Sequence, residues 1–330
     1  MPTNTDPSFN WQSIYLAYAI VMFLILLVGF FGNLFTIIVL RQREHRSKSI
    51  TPLMMNIAIA DLLIIVFGYP VMISTNLNGK LMYTGSHYCN WSGFINGMTG
   101  LTSIASLTAM SGVVYQIVKR NTPNSHASSR QSIILIVGSW FFGFITVLPP
   151  LVGWNRFVPG KAGFSCAPDW TATDNASLIY TVLLVTLGFF VPLMFIAMFH
   201  ILTYRLLKRP PVAGDPFIQA RRRRYKQKMA FMTTATISAF LLSWSPYCFV
   251  SFSATITGRN LLTPGEAEIP ELMAKASVVY NPIVYMIMNE RFRRKLWVIL
   301  SGNGGHVVPG SSRNRTDNLA QSRIEISTNM

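Results

Sequence analysis

The chain has 330 residues, of which 51% are hydrophobic and only 12% are charged, and its mean hydropathy is +0.38. Soluble domains carry roughly 25% charged residues, so this composition excludes an ordinary soluble globule. The net charge of +16 is large enough to suggest nucleic acid. However, the basic residues stand at the ends of apolar runs and not along one face, which argues against that partner.

Seven apolar runs follow one another along the chain, and each reaches the roughly 20 residues that a helix needs to cross a bilayer. They lie near residues 12–40, 50–77, 87–118, 132–152, 177–206, 229–257 and 267–288, and are called spans 1 to 7. The pattern predicts an all-α integral membrane bundle of seven transmembrane helices over residues 12–288. Residues 1–11 are polar without a basic start, and the first apolar run is too long for the core of a signal peptide, so no secretory signal is predicted. The placement of the basic residues along the chain predicts that residues 1–11 are an extracellular N-terminus.

The distribution of basic residues predicts how the chain is oriented in the membrane, and composition predicts the structure of its C-terminal segment. Lys and Arg are concentrated after spans 1, 3, 5 and 7, in RQREHRSK, KRNTPNSHASSR, ARRRRYKQK and ERFRRK. The positive-inside tendency therefore places the N-terminus outside the cell membrane and the C-terminus in the cytoplasm. Residues 289–300 mix basic and apolar side chains as in a short amphipathic helix on the inner membrane surface. Residues 301–330 are rich in Gly, Ser and Asn, which predicts a disordered cytoplasmic tail.

The chain has three cysteines and a candidate glycosylation motif, and two of the cysteines are expected on the outer side of the membrane. Cys89 begins span 3 and Cys166 lies in the second outer loop, so both meet the oxidising compartment and can pair. Cys248 is left inside span 6, where a small apolar packing role is expected. The NAS motif makes Asn175 a candidate glycosylation site.

Polar, proline and tryptophan residues interrupt the spans, although a central Asp or Lys costs at least about 2.5 kcal/mol there. In order and helix placement they resemble the marks of the rhodopsin family (class A) of G-protein-coupled receptors, over roughly residues 12–297. The family's marks fall on Asn33, Asp61, Trp140, Pro192, Pro246 and Pro282, with its loop disulfide on Cys89 and Cys166.

The resemblance also implies an internal switch network. Its members would be Asn33, Asp61, Asn281, Pro282 and Tyr285, often linked by water or by a sodium ion at Asp61. Such partners would satisfy a buried aspartate. No other metal site and no catalytic residue is predicted.

One lysine in span 7 points to a cofactor. Lys275 lies about eight residues into the helix, roughly 12 Å deep at 1.5 Å per residue, where its side chain cannot easily reach water. Burial disfavours the charged ammonium and favours an amine that can condense with an aldehyde. A lysine six residues before Asn281 and Pro282 is also where opsins attach retinal through a Schiff base. The chain thus resembles an opsin of the peropsin, retinochrome and neuropsin branch or a divergent invertebrate relative, which implies 11-cis or all-trans retinal. The alternative is a buried lysine held only by an ion pair.

Further residues are consistent with a retinal pocket. Gly93, Gly97 and Gly100 recur on one face of span 3, where they would clear room for a flat ligand. The resemblance places four more pocket residues at Phe189, Phe240, Trp244 and Tyr247. An aromatic stripe of this kind is equally typical of plain core packing.

A protonated retinal Schiff base needs a nearby anion. The two positions where opsins commonly hold that carboxylate are Ser92 and Gly160 in this chain. Glu271 stands four residues before Lys275 on the same helix face, which makes it the candidate counterion. Alternatively Glu271 faces the outer water as a helix-start acid, or a halide or Asp169 neutralises the site.

The cytoplasmic side departs from the family. Span 3 normally ends in an acid, an Arg and an aromatic residue, but this chain has Val113, Val114 and Tyr115. Lys226 stands where visual opsins place a Glu, so the family's ionic latch cannot form.

Three functions remain open. The first is a light-sensing opsin that signals through a heterotrimeric G protein or another cytoplasmic partner, favoured by the intact Asn281 to Tyr285 and the basic rim. The second is a retinal photoisomerase with weak or no coupling, favoured by Val113 and Val114. The third is a chemosensory receptor without retinal, and a transporter is disfavoured because no inverted repeat is evident. The predicted partners are retinal, the lipid bilayer and, in the first case, the G protein.

Overall fold

The computed structural model describes residues 11–42, 49–77, 83–120, 129–161, 163–210 and 215–301. Contacts divide the chain after Asn289 into two units. The first contains all seven spans, and the second begins with a helix, Glu290–Leu300. The predicted extracellular N-terminus lies outside the described residues except for its last residue, and the predicted tail lies outside them except for its first.

Each predicted span is a helix, and two spans are interrupted. The seven are Trp11–Leu40; Thr51–Phe67 with Tyr69–Leu77; His87–Lys119; Ser129–Val147; Asn175–Val185 with Val191–Lys208; Pro216–Thr257; and Pro264–Met288. Gly68 breaks span 2 just before Pro70, and a π-helical turn, Thr186–Phe190, interrupts span 5 just before Pro192. Proline has no backbone N–H and therefore cannot donate the helical hydrogen bond to the residue four positions earlier, so an irregular turn just before it is expected. The predicted all-α fold of seven spans and an additional short helix is confirmed.

Span 6 begins far earlier than its apolar run. The Asp215 side chain accepts hydrogen bonds from the backbone nitrogens of Phe217 and Ile218 at 2.8 and 3.4 Å, and Pro216 occupies the first turn. A capped start of this kind favours a helix through the following arginines and lysines, which are good helix formers. The apolar pattern alone could not reveal this polar extension.

Six of the described helices are long and apolar enough to cross a membrane, and Pro264–Met288 is not among them. Its first half carries Glu266, Glu268, Glu271 and Lys275. These charges lower its apolar character, so span 7 carries the least typical membrane sequence of the bundle.

Span 3 lies at the centre of the bundle, packed against spans 2, 4, 5 and 6. Two short strands also contact it: β1, Phe157–Pro159, and β2, Cys166–Pro168, pair antiparallel with Phe157 opposite Pro168. The predicted disulfide between Cys89 and Cys166 is present and joins β2 to the start of span 3. The end of the bundle that holds this bridge is called the disulfide end. The opposite end, where spans 3 and 5 finish, is called the basic end.

The helix Glu290–Leu300 carries Arg293 and Arg294 on its surface together with the exposed apolar side chains of Trp297 and Leu300. Cations beside exposed apolar groups are typical of a helix that lies along a membrane surface.

Candidate functional site

A largely apolar cavity lies among spans 2, 3, 5, 6 and 7, and strand β2 contributes to its wall. All nine residues that the sequence places around a ligand line it: Gly93, Gly97, Gly100, Phe189, Phe240, Trp244, Tyr247, Glu271 and Lys275. The structure therefore brings together residues that are 182 positions apart at the extremes, from Gly93 to Lys275.

The only charged side chains on the span 7 wall of this cavity belong to Lys275 and Glu271 among the described residues. The Lys275 ammonium donates to the Glu271 carboxylate and to the Ser165 hydroxyl, the latter at 3.3 Å. The two charged side chains are 8% and 14% exposed. The Tyr69 hydroxyl donates to the Lys275 backbone oxygen at 2.7 Å, which fixes span 7 against span 2 at this residue.

Glu271 faces this cavity, and a different acid occupies the start of the helix. The Glu266 carboxylate accepts hydrogen bonds from the Thr263 backbone nitrogen at 2.9 Å and from its hydroxyl at 2.8 Å, a capping box. Asp169 is bound by the Arg156 guanidinium, with 3.2 and 3.1 Å between the nitrogens and one carboxylate oxygen. Asp169 is therefore engaged with a cation of its own.

The glycine face of span 3 is filled by protein side chains. A Cβ atom on Gly93 would lie 2.3 Å from the Phe157 ring, and one on Gly100 would lie 2.8 Å from the Trp244 ring. On Gly97 it would lie 2.9 Å from Val147. The missing side chains thus let β1, span 6 and span 4 approach the span 3 backbone, in addition to leaving glycine atoms at the cavity wall.

The aromatic residues form a connected wall. Phe240 stacks on Trp244 with 5.6 Å between ring centroids, and Trp244 meets Tyr247 edge-on at 6.1 Å. The Trp244 indole nitrogen donates to the Ser277 hydroxyl at 3.1 Å, and the Trp170 indole nitrogen donates to the Tyr247 hydroxyl at 3.3 Å. These two hydrogen bonds hold the rings of Trp244, Trp170 and Tyr247, all of which line the cavity.

Sequence reasoning missed Ser165, Tyr69 and Trp170. Ser165 adjoins Cys166, so the disulfide alone places it near span 3. Trp170 lies four residues after Cys166 in the same loop. Tyr69 carries no local signal, because only the folded bundle shows that its hydroxyl meets span 7.

Part of the predicted switch network is assembled. The Asn281 amide donates to the Asp61 carboxylate at 3.0 Å, and both side chains are buried. The Asn33 amide donates instead to the backbone oxygens of Val278 and Gly29, each at 2.9 Å. The Asn33 side chain is thus joined to the backbone of span 7, and not to the Asp61 or Asn281 side chain. The roles of Pro282 and Tyr285, which lie in the same helix, stay predictions, as does the sodium site.

The basic end has an arrangement that sequence reasoning did not foresee. Val113 and Val114 are buried near the end of span 3. The Lys226 ammonium of span 6 donates to the Val118 backbone oxygen at 3.1 Å. The Arg223 guanidinium of the same helix donates to the Leu207 backbone oxygen of span 5 at 3.0 Å. The cations of span 6 therefore bind the last carbonyl groups of two neighbouring helices.

Cys248 and Asn175 lie apart from these networks. Cys248 is partly buried and lines the cavity, so it borders the ligand space as well as packing. Asn175 is exposed at the first residue of its helix, after Asp174, whose carboxylate accepts from the Ser177 backbone nitrogen at 2.9 Å. Glycosylation of Asn175 stays a prediction.

The chain resembles known proteins over most of its length. A family model described as "7 transmembrane receptor (rhodopsin family)" matches residues 32–285. The melanopsin of Phodopus sungorus is 31% identical over 304 residues, 89% of this chain and 64% of its own length. A rhodopsin of Mizuhopecten yessoensis, described as GQ-coupled, is 26% identical over 82% of this chain and 56% of its own. The chain therefore spans less than two thirds of these relatives.

The fold has a solved counterpart. Squid rhodopsin matches with a TM-score of 0.78 and 22% identity, over 88% of this chain and 87% of that one. At this identity the likeness shows the fold alone.

Proposed function

We propose, from the premise that the chain belongs to the rhodopsin family of seven-transmembrane receptors, that it is a light-sensing opsin which holds retinal on Lys275. The observation that carries the proposal is the buried Lys275 amine at the wall of an aromatic-lined cavity. A buried lysine in a membrane helix costs free energy unless it is paired or used. The narrower assignment to the peropsin, retinochrome and neuropsin branch stays a prediction.

The residues present fit retinal. Retinal joined to Lys275 as an imine would supply the absorption of light and the isomerisation of a double bond. The protein supplies an amine for attachment, a largely apolar cavity, and the aromatic side chains of Phe240 and Trp244 in its wall. The Ser165 hydroxyl can accept or donate a hydrogen bond beside the same nitrogen. The isomer, 11-cis or all-trans, remains for experiment.

Glu271 is proposed as the counterion. Its carboxylate already pairs with the Lys275 nitrogen, which is the atom that keeps the positive charge when a protonated imine forms. Asp169 is a weaker candidate because Arg156 binds it. An anion held at this nitrogen stabilises the protonated form, which absorbs visible light.

The disulfide end is proposed to face outward and the basic end the cytoplasm, so that the protein is a multi-pass protein of the cell membrane with an extracellular N-terminus. Cytoplasmic Lys and Arg match the positive-inside tendency. A heterotrimeric G protein is the proposed partner at the basic end. A Gq protein is the first to test, because the rhodopsin of Mizuhopecten yessoensis is described as GQ-coupled.

A photoisomerase is the second candidate, and Val113 and Val114 favour it. They replace the acid and arginine of the family's span 3, and both are buried. In that case light-driven conversion and release of retinal would be the output, with little coupling to a G protein.

The retinal site can be tested on the purified full-length protein. After incubation with 11-cis or all-trans retinal, we expect a visible absorption band that changes on illumination. Borohydride reduction should attach a retinyl group to the peptide that contains Lys275. Lys275→Ala should abolish both results, whereas Lys208→Ala, which removes an exposed lysine beside Tyr204, should keep them. A retinyl group on another lysine, or no adduct at all, would overturn the proposal.

The two candidate outputs can be separated with the same preparation. Illuminated pigment that accelerates guanine-nucleotide exchange on Gq, Gi or Gs supports the receptor. Pigment that releases a newly formed isomer into an organic extract, with no exchange on any of the three, supports the photoisomerase.

A further inference from the structure

A second groove lies at the basic end, between spans 5 and 6, and the proposed function does not use it. It follows span 5 from His200 to Lys208 and span 6 from Arg223 to Thr234. At 1.5 Å per residue these stretches are about 12 and 16 Å long. None of its lining residues borders the cavity that holds Lys275. This space is called the 5–6 groove.

Three cations line the part of the 5–6 groove nearest the helix ends. Lys208 is the last residue of span 5, Arg223 and Lys228 belong to the early turns of span 6, and all three are exposed. No acid lines the groove among the residues that the structure describes. The one acid in the sequence between residues 201 and 234 is Asp215, whose carboxylate caps the start of span 6. The groove therefore presents an excess of positive charge to its occupant.

Two of these cations are held at the groove by contacts that leave their charge available. The Lys208 ammonium lies 4.6 Å from the centroid of the Tyr204 ring, a cation–π contact. The Arg223 guanidinium donates one hydrogen bond, to the Leu207 backbone oxygen at 3.0 Å, although it has five N–H donors. Both cations thus keep donors that an anion can use.

The part of the groove nearer the bilayer centre is less polar. Phe231 and Tyr204 line it with side chains that are 67% and 59% exposed. The Nδ1 atom of His200 and the hydroxyl of Thr234 line it too, but each bonds at 2.9 Å to a carbonyl oxygen of its own helix. Their polar atoms are therefore already partnered there.

The boundary between basic and apolar sequence crosses the groove. The apolar run of span 5 ends near residue 206 and that of span 6 begins near residue 229, so Lys208 and Lys228 stand just outside the runs and Phe231 just inside. In a bilayer this boundary is the level where phosphate headgroups meet acyl chains.

We propose that the 5–6 groove binds a phosphoinositide, a phospholipid whose headgroup carries several phosphate groups. The phosphates contact Lys208, Arg223 and Lys228, and an acyl chain lies along Tyr204 and Phe231. A headgroup with several phosphates can contact all three cations at once, whereas a headgroup with a single net charge cannot balance them. The proposal rests on the proposed orientation of the chain in the membrane, and not on retinal.

The groove fits a lipid better than an anion without a hydrocarbon chain or an acidic segment of a protein. A free anion would use the cations but not the exposed rings of Phe231 and Tyr204. A protein segment at the level of those rings would place its backbone against lipid, where its N–H and C=O groups lack partners. A lipid with its headgroup on Lys208 and Arg223 also links the ends of spans 5 and 6.

The test is lipid binding by the purified, retinal-free, full-length protein in detergent. Native mass spectrometry measures the affinity for phosphatidylinositol bisphosphate, phosphatidylserine and phosphatidylcholine, and we expect the bisphosphate to bind most tightly. Lys208→Gln/Arg223→Gln/Lys228→Gln should weaken its binding by about tenfold or more. Phosphatidylserine that binds as tightly as the bisphosphate would overturn the assignment to a headgroup with several phosphates.

The matched control removes three cations from the same turns of span 6 that do not line the groove. Arg221→Gln/Arg222→Gln/Arg224→Gln lowers the net charge by the same amount, and all three residues are exposed. It should weaken phosphoinositide binding much less than the groove variant does. Equal losses in the two variants would mean that the basic end attracts anionic lipid without a site, which overturns the proposal. Melting temperatures of both variants show whether the bundle is still folded.

Soluble inositol trisphosphate separates a lipid from a free anion. It carries the phosphates without acyl chains, so it should bind more weakly than the phosphoinositide. Equal affinity would mean that the cations bind an anion and that the apolar part of the groove contributes nothing, which overturns the assignment to a lipid.

A second measurement needs no variant and therefore does not depend on variant folding. A phosphoinositide with a photoreactive group in its acyl chain, bound to the wild-type protein, should label the peptides that contain Tyr204 or Phe231. Labelling confined to other peptides would overturn the proposal. So would a groove variant that keeps its phosphoinositide affinity but, as illuminated pigment, loses nucleotide exchange on Gq, because the cations would then serve a protein partner. If no pigment forms at all, the proposed function fails while the lipid measurements on the retinal-free protein still decide the groove.

Discussion

The two ends of the bundle use their charges in opposite ways. At the disulfide end, acids and bases pair with each other, as Glu271 does with Lys275 and Asp169 with Arg156. At the basic end, cations of span 6 bind helix-terminal carbonyl groups, as Lys226 does with Val118. Carbonyl groups at a helix C-terminus carry partial negative charge, so a chain with few acids there can still hold its cations in place.

The two ends therefore differ in how easily their contacts can break. The disulfide end is fixed by a covalent bridge, a strand pair and buried polar contacts around one cavity. The connections of the basic end described above are single hydrogen bonds between long, flexible side chains and backbone oxygens. Such bonds break at lower cost than buried packing, which suits a surface that must open for a partner.

The largest effect should come from removing the bridge at the disulfide end. Replacing both Cys89 and Cys166 with Ser should lower the free energy of unfolding by about 2 to 5 kcal/mol, the range for native disulfides. The measurement is thermal unfolding in detergent, with Cys248→Ser as the control for loss of a thiol that is not in the bridge. An equal loss in that control would show that the bridge is not the main constraint at this end.

Packing at the same end should give the next largest effect. Gly93→Ala places a methyl group against the Phe157 ring, so the ring or the strand must move, at about 1 to 3 kcal/mol for an overpacked site. Thermal unfolding measures the loss. Adding Phe157→Leu should recover part of it, and a double variant no more stable than Gly93→Ala would argue against this contact as the cause.

The sequence predicts much of the fold because its strongest signals are physical. Apolar runs of membrane length predict all seven spans, and two cysteines on the outer side predict the bridge. The polar contacts of Lys275 are harder to predict, because Tyr69 and Ser165 are far from it in the sequence and meet it only in the folded bundle. The start of span 6 was also missed, since a run of arginines has no apolar period to mark it.

At the candidate site, the sequence predicts which residues line the cavity, but it does not predict which side chains they contact. Every predicted pocket residue lines one cavity, yet Phe157, Val147 and Trp244 occupy the space beside the three glycines. Spacing along one helix predicts which residues share a face. It does not say whether a ligand or a neighbouring helix fills the space in front of that face.

A smaller effect is expected at the basic end from Lys226→Ala, which removes the hydrogen bond from the Lys226 ammonium to the Val118 backbone oxygen. A hydrogen bond to a charged group contributes about 1.5 to 3 kcal/mol at most, and partial exposure reduces it here. Hydrogen exchange of residues 222–232 should become faster by roughly tenfold for each 1.4 kcal/mol lost. Exchange around Cys89 should not change.

Lys228→Ala is the matched control for that experiment. Lys228 is an exposed cation two residues further along the same helix. Equal acceleration in both variants would mean that general charge repulsion, and not the bond to Val118, sets the stability of this end.

The smallest expected effect is a pH dependence at the disulfide end. Hydrogen bonding from the Ser177 backbone nitrogen to the Asp174 carboxylate lowers the pKa of Asp174 below its usual range. The folded value is therefore below the unfolded one of about 3.9, so the stabilisation is complete above that pH and is lost as pH falls through the folded value. Asp174→Asn keeps an N-cap but has no charge to titrate, whereas Asp174→Ala loses the cap at every pH. The melting temperature of wild type relative to Asp174→Asn should fall only on the acid side of pH 4, and a constant difference across that range would mean that the ionised carboxylate gives this helix no advantage over a neutral cap.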